Sequence, residues 1–352
     1  MPPESRARAL VLRFGWNTTC YQILNPGMRL WFSEERNAVV GYVANRGVRV
    51  VAGAPVCKKE DLKTVLEEWH RHADAAKARV CYFGAEARLR EAVEGQRGFS
   101  TVALGAQPVW EPGSFTDAIA GSKKLRYQLA RARNKGVTVE EWPSDRGDDP
   151  ALWRILEEWL QSRGLPSMHF LVEPETLRHL MDRRLFVAIH QGEPVGFVVM
   201  TPIPARNGWL TEQFPRKPGA PNGTVDLTLA TAIEAVGRDM VTMGIVPLSQ
   251  RAFAPEDTLP TWLRWSMKWA RAHGRRFYDW EGLDRFKDKF QPDRWEPIYA
   301  VSREERFTPR TLLAIGEAFA GRSPLRALGA SLAWAGGKEL EKLTTSSSSR
   351  ER

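Results

Sequence analysis

Residues 277–297 read FYDWEGLDRFKDKFQPDRWEP, six aromatic and ten charged side chains punctuated by Gly282, Pro292 and Pro297. Leu283, Phe286 and Phe290 recur at helical spacing and share one face of a short helix. Glu281 and Arg285 stand four apart, Arg285 and Asp288 three apart, spacings at which opposite charges meet on a helix. Pro292 cannot continue that helix, and RWEPIYAV beyond it reads as a strand. Local physics therefore predicts a helix feeding a core strand, with Lys287 and Lys289 left as spare charges on a solvated face.

Upstream, one kind of layout occurs twice. LWFSEE, AVVGYVANRG and VRVVAGAPV, within 30–57, are short apolar runs broken by Gly and Asn, a meander pattern. Residues 60–77 follow with helical period, Leu62, Val65, Leu66 and Trp69 on one face. Strands at 79–85 and through FSTVALGAQPVW, with a short helix between, close the first round. The second opens near 148 with a helix carrying Leu152, Ile155, Leu156 and Trp159, then a helix at ETLRHLMDR. LFVAIHQGEPVGFVVMTPIP reads as a hairpin turning at QGEP, and NGWLTEQ as a third strand. TVDLTLATAIEAVGRDM is a long helix and TMGIVPLSQ a strand. This predicts an α+β protein with mixed sheets flanked by helices, in two units, 1–147 and 148–305. The tail, 306–352, is rich in Ala and Leu with spaced Arg and ends in SSSSRER, a disordered composition. It reads either as a helix packed on the body or as an interfacial amphipathic segment anchored by Leu312, Leu313, Ile315, Phe319, Leu325, Leu328 and Trp334.

The composition is that of a globular protein, 43% hydrophobic and 26% charged over 352 residues. Cys20, Cys57 and Cys81 form no CxxC pair, and the six histidines show no metal-ligand spacing, so neither a disulfide framework nor a metal is expected. Arg13 interrupts the apolar N-terminal stretch too early for a signal peptide. No segment reaches the roughly 18 uninterrupted apolar residues of a membrane span. These readings place the chain in the cytoplasm. The net charge of +9 and pI near 9.6 suit a polyanionic partner, nucleic acid or an acidic membrane face.

Two constellations stand out. SKKLRYQLARARNKG, 122–136, carries Lys123, Lys124, Arg126, Arg131, Arg133 and Lys135 with no acidic residue, while Leu125, Leu129 and Ala132 anchor the opposite face. Like charges so closely spaced repel, which favours phosphate binding over a merely solvated face. TEQFPRKPGAPNGTVDL, 211–227, is a constrained loop entering a helix, with Asn222 and Gly223 in the turn, Thr224 as N-cap and Asp226 in the first helical turn. Glu212 brings a second carboxylate on the strand before it. The loop reads equally well as pure structure or as a ligand site at a helix N-terminus.

The succession GAPNGTVDL, MGIVPLS and FYDWEGLDRFKDKFQPDRWEPIYAV, with SKKLRYQLARARNKG before it, resembles the C-terminal catalytic domain of the bacterial phosphatidylglycerol lysyltransferases (the multiple peptide resistance factor family), over residues 15–301. The resemblance implies tandem acetyltransferase-like (GNAT) folds and an aminoacyl-tRNA co-substrate, with no further cofactor. It also implies transfer to the glycerol hydroxyl of phosphatidylglycerol at the inner face of the membrane. The chain shows no transmembrane flippase part, so membrane contact is expected to be peripheral. On this reading Lys287 and Lys289 stabilise developing negative charge. Asp226 or Glu212 holds an ammonium or orients the attacking hydroxyl, and Asn222, Gly223 and Thr224 shape the site. The cationic helix serves the tRNA or the lipid phosphate. Where lysine-transferring members tend to carry Asp-Leu-Met-Arg, this chain has Glu212, Gln213, Phe214 and Pro215. That departure leaves the amino acid and the acceptor, lipid or small molecule, open. Two other readings compete. An acyl-CoA-dependent acetyltransferase fold would need a Gly-rich pyrophosphate loop, and GAPNGT fits that pattern poorly. A non-enzymatic module binding nucleic acid or membrane would leave 211–227 and 277–297 without a role.

Overall fold

The apolar runs of the first round form an antiparallel meander: β1 (Arg29–Phe32), β2 (Val39–Asn45) and β3 (Val48–Ala52). The computed structural model describes residues 1–163, 169–252 and 280–320. From β3, helix α2 (Leu62–Ala75) crosses to β4 (Arg79–Ala85), which lies parallel to β3. Leu62, Val65, Leu66 and Trp69 are buried, the face that the periodicity predicted. The second round repeats this plan. Strands β6 (Val137–Trp142), β7 (Arg184–His190), β8 (Glu193–Ile203) and β9 (Gly208–Gln213) pair antiparallel in sequence. Helix α7 (Thr224–Val236) then crosses to β10 (Met240–Thr242), parallel to β9. Gln191 and Gly192, both at positive φ (54° and 82°), make the tight β7–β8 turn expected at QGEP.

Among the described residues the two rounds form one sheet of twelve strands, ordered β1-β2-β3-β4-β12-β5-β10-β9-β8-β7-β6. Strand β5 (Ser100–Trp110) meets β10 antiparallel, Trp110 opposite Val241, and so joins the rounds. The two-residue β11 (Val246–Pro247) also pairs with β5. Strand β12 (Arg294–Ser302) lies between β4 and β5. The strand order therefore departs from a division at 147/148. β12 completes the sheet of the first round, while β6 and the helix α5 (Lys123–Asn134) before it lie with the second. Arg206, after β8, braces the crossing by reaching Glu86 (3.1 Å) at the start of α3 (Ala87–Val93) and Glu296 (2.8 Å) on β12. Burial raises the Glu86 carboxyl above its ordinary range, and Arg206 pulls it back.

Helices cover both faces. On one, α1 (Pro3–Phe14) and α9 (Pro309–Ala320) bury Val11, Phe14, Ala314 and Ile315 in a core shared with β2, β3 and β9. On the other, α4 (Ser114–Gly121), α5 and α7 enclose Phe115, Leu125, Leu129, Leu229 and Phe290. Helix α6 (Pro150–Arg163) buries Leu152, Ile155 and Leu156. Phe319 of α9 packs edge-on against Phe83 (5.1 Å) and Phe170 (5.3 Å). The start of the tail is thus a packed helix rather than a free interfacial one, with Leu313 its exposed apolar residue. Leu325, Leu328, Trp334 and the SSSSRER end lie outside the described residues. Two other expectations change. ETLRHLMDR forms only a 3-10 turn, Thr176–His179, before the chain turns at Asp182, where φ is 63°. TMGIVPLSQ is no single strand: the chain breaks between β10 and β11.

His70 on α2 is buried with its Nε2 2.8 Å from the Tyr82 hydroxyl. Burial, aided by Arg303, lowers its pKa from 6.5 to about 4. The unfolded chain binds the extra proton between these values, so stability is lost as pH falls from 6.5 towards 4. Urea unfolding of wild type against His70→Gln should show the wild-type advantage shrinking by about 3 kcal/mol across that window. An advantage that stays constant with pH would show His70 titrating normally.

Candidate functional site

Ser122 caps α5, its Oγ accepting from the Leu125 N–H at 3.2 Å. Leu125, Leu129 and Ala132 are buried against α7. The helix is fixed by this apolar stripe, which leaves its cations outward. Lys123, Lys124, Arg126, Arg133 and Lys135 are exposed and Arg131 is half-buried. Arg126 folds back onto the Ile119 and Ala120 carbonyls at the end of α4. The other five form no ion pair among the described residues. Tyr127 stands among them, 61% exposed.

The loop into α7 rests on this helix. Gly223, not Thr224, occupies the N-cap, at φ 91°. A Cβ there would lie 2.4 Å from the Gln128 carbonyl of α5, so glycine meets both the backbone turn and the close approach. Thr224 is the first helical residue and donates its hydroxyl to the Pro221 carbonyl at 2.6 Å. Asp226 follows in the first turn, where the helix dipole favours a carboxylate.

An open cleft of about 1060 Å³ lies where α5, this loop and α8 (Trp280–Asp288) converge. Arg131 and Gln128 reach it from α5, Trp159 and Ser162 from α6, and Leu283, Phe286 and Lys289 from the α8 segment. Asn222, Gly223, Thr224 and Asp226 line it too. Lys289 Nζ forms an ion pair with Asp226 Oδ1 and lies 4.5 Å from the Phe286 ring centroid. Phe286 in turn stacks on Phe214, centroids 6.0 Å apart. Phe290 is fully buried as expected, whereas Leu283 and Phe286 form cleft wall rather than core. Asp288 pairs with Arg251 at 3.0 Å, not with Arg285.

Two expected site residues lie elsewhere. Lys287 is no cleft wall: its side chain is buried, and Nζ donates to the carbonyls of Met243 (2.6 Å), Gly244 (2.8 Å) and Ile245 (3.1 Å). Three acceptors match the three hydrogens of an ammonium. They also explain the break between β10 and β11, whose carbonyls turn away from the sheet to meet it. Burial pushes the Lys287 pKa down to about 7, with Asp284 pulling the other way. Glu212 is also buried. It pairs with Arg183 at 3.0 Å, accepts from the Thr201 hydroxyl, and its side chain is 4% exposed. Trp209 packs on the core that contains α7, whereas Glu212 meets Arg183, whose guanidinium lies 4.8 Å from the Tyr21 ring in the core on the opposite face. Glu212 therefore points away from Asp226. Sequence reading missed Phe214, Arg216 and Lys217, all on the cleft. Their signal was present in FPRKP, where two prolines hold a basic pair in a loop already singled out.

A second recess, about 800 Å³, lies between β2, the 169–179 segment and α9. Its three carboxylates are engaged, Glu173 with His169, Glu175 with Arg178 and Glu317 with Arg46. Among the described residues no cluster of His, Cys, Asp and Glu could hold a metal ion, and no helix is long and apolar enough to cross a membrane.

Residues 8–302 match the family described as phosphatidylglycerol lysyltransferase, C-terminal. The chain belongs to this family. It is similar to the bifunctional lysylphosphatidylglycerol biosynthesis protein of Mycolicibacterium gilvum, 26% identical over 336 residues. That match covers 90% of this chain and 29% of the relative. The phosphatidylglycerol lysyltransferase of Bacillus subtilis is 26% identical over 330 residues, 89% of this chain and 36% of that protein. The chain thus spans about a third of the curated relatives it matches. Among solved structures, a domain assigned as the C-terminal part of a lysylphosphatidylglycerol synthetase from Agrobacterium fabrum superposes with a TM-score of 0.75 at 20% identity, covering 91% of this chain and 97% of that one. L-PGS from Bacillus licheniformis gives 0.71 at 19% identity, covering 90% and 96%. The expected α+β class, a mixed sheet flanked by helices, is the fold of these family domains.

Within the family fold, Lys287 holds the α8 segment to the β10–β11 turn. Lys287→Met keeps the apolar stem and strips three buried carbonyls of their donor, for an expected loss of about 3 kcal/mol. Urea unfolding measures it, and a loss below about 1 kcal/mol would show that the carbonyls find other donors.

Proposed function

We propose that this domain moves an aminoacyl group from aminoacyl-tRNA to the hydroxyl of an anionic lipid such as phosphatidylglycerol. The observation that carries the reading is the junction of two features: α5, whose outward cations lack ion-pair partners among the described residues, and the cleft into which Arg131 of that helix projects. Unpaired cations along a helix suit a phosphate backbone, and an exposed tyrosine among them suits an unpaired base. The family membership and the names of the relatives support the same chemistry.

The reaction is a transesterification. The acceptor hydroxyl oxygen bonds to the aminoacyl carbonyl carbon, the bond from that carbon to the ribose oxygen breaks, and the hydroxyl proton ends on the ribose oxygen. The ester is already activated, so positioning and stabilisation of the oxyanion supply much of the rate. Arg131, Arg216 and Lys217 place positive charge around the cleft. Lys289, held by Asp226, places a cation at the first turn of α7. Lys287 and Glu212 act on this reading only as supports. No cofactor beyond the charged tRNA enters the scheme. A lipid acceptor has to be drawn from a bilayer and the tRNA is cytoplasmic, so the domain works peripherally on the inner face of the membrane.

The test is direct. Purified protein is incubated with labelled aminoacyl-tRNAs and total bacterial lipid, and label is followed into the organic phase. Lys124→Ala combined with Arg131→Ala should lower transfer at 150 mM salt by about 10-fold or more and flatten its salt dependence by about two contacts. Label only in a water-soluble product would point to a small-molecule acceptor. Acyl-CoA turnover without tRNA-dependent transfer would sink the proposal. For membrane contact, the truncation to compare in vesicle co-sedimentation begins after residue 320, because α9 belongs to the body.

A further inference from the structure

Helix α2 packs on β1, β2 and β3 around a cluster that shares no residue with the cleft. Arg49 of β3 lies on the Val51 side of its strand, facing α2, and is only 8% exposed. Its guanidinium lies over the Trp69 ring (4.9 Å) and the Tyr42 ring (5.4 Å). Among the described residues Arg49 forms no ion pair and no side-chain hydrogen bond, and its Nη1 is withdrawn from solvent. Trp69 Nε1, equally buried, meets no acceptor there either. His72, one helical turn on, lies 5.7 Å from the Trp69 ring and stacks on Trp31. Burial and the Arg49 charge together lower its pKa. The acids of α2 beside them are committed. Glu68 accepts from the Ser33 hydroxyl and the Glu34 N–H, and Asp74 pairs with Arg303.

Two aromatic faces offset part of the cost of burying a guanidinium, but they satisfy none of its hydrogens. Arg49 and Trp69 can only donate, and His72 donates from both ring nitrogens once protonated. What the three lack in common is an acceptor carrying negative charge. The approach is short. Ala44 stands opposite Arg49 on β2, hence on the same face, and it is exposed and too small to cover the guanidinium. Exposed His72 and half-buried Trp31 form the rim.

We propose that Arg49, Trp69 and His72 form a phosphate-binding site on the first round of strands, separate from the cleft. The guanidinium fork supplies paired donors, and the indole and imidazole add donors from a second element. Donors spread in this way suit a tetrahedral group with oxygens on every side better than a planar carboxylate.

The test is a titration of the full chain followed by NMR at the Trp69 indole N–H and the His72 ring, assigned with Trp69→Phe and His72→Gln. The probes are inorganic phosphate, glycerol phosphate and acetate at constant ionic strength. Phosphate should move both signals along one saturating curve, and Arg49→Gln should weaken that binding by about 10-fold or more. Arg49→Lys keeps the charge without the fork, so its affinity should fall between the two, and it serves where the glutamine variant does not fold. Lys124→Ala combined with Arg131→Ala should leave the curve unchanged. Tighter binding of glycerol phosphate than of inorganic phosphate supports the site and assigns it to a phosphate ester such as a lipid headgroup, and equal binding supports it as a site for the phosphate group itself. Acetate saturating at the same concentrations overturns the assignment to phosphate. Signals that do not saturate, or a curve that both Arg49 variants leave unchanged, overturn the site.

Discussion

The Lys287 ammonium, buried against three carbonyl oxygens of the β10–β11 turn, is the contact on which the geometry of the cleft depends. A charge so deep is stable only when each of its hydrogens is met, and three consecutive carbonyls meet them. The cost is a broken strand: residues that could have paired along the sheet turn out of it. The gain is a fixed α8. With Lys287 pinned on one side of that segment, Phe286 and Lys289 are held on the other, towards α7. The cleft wall is therefore set by a residue that does not touch the cleft.

The other wall is set by close backbone approach. Gly223 lets the loop entering α7 rest on the α5 backbone, so the cationic helix and the helix N-terminus form one corner. Arg131 and Asp226, far apart in the chain, face one space because a Cβ is missing between them. Arg206 braces the two rounds of strands in the same spirit, one guanidinium between Glu86 and Glu296. Each brace is a charge or a small residue doing what hydrophobic burial cannot do: fixing direction.

Much of the fold was legible in the sequence. The helical faces of α2, α5 and α6 and the β7–β8 turn follow from periodicity and turn chemistry. What periodicity cannot carry is which strands pair across long distances. Nothing local to RWEPIYAV says that it slots between β4 and β5. The site was legible in part for the same reason. Asp226 and the loop were singled out because a loop before a helix concentrates ligand chemistry, and Lys289 through the resemblance; the structure brings them to one cleft. Lys287 and Glu212 were misplaced because a charged side chain in sequence carries no mark of burial. Lys287 and Lys289, two apart on one short segment, face opposite ways, and only packing separates them. Arg216 and Lys217 sit in a loop without periodicity, beside carboxylates whose sequence signal is stronger.

The crossed connectivity also bears on how the chain comes into being. The slot between β4 and β5 can be filled only by residues 294–302, and β6 has to wait for β7. As the chain leaves the ribosome, the first round therefore exists for a long interval as an open sheet with two unpaired strand edges facing each other. Its contacts are among the most distant in sequence that the fold contains, which makes closure slow. A nascent or truncated chain ending before residue 294 keeps that slot empty, its two strand edges open to residues 294–302 of another molecule.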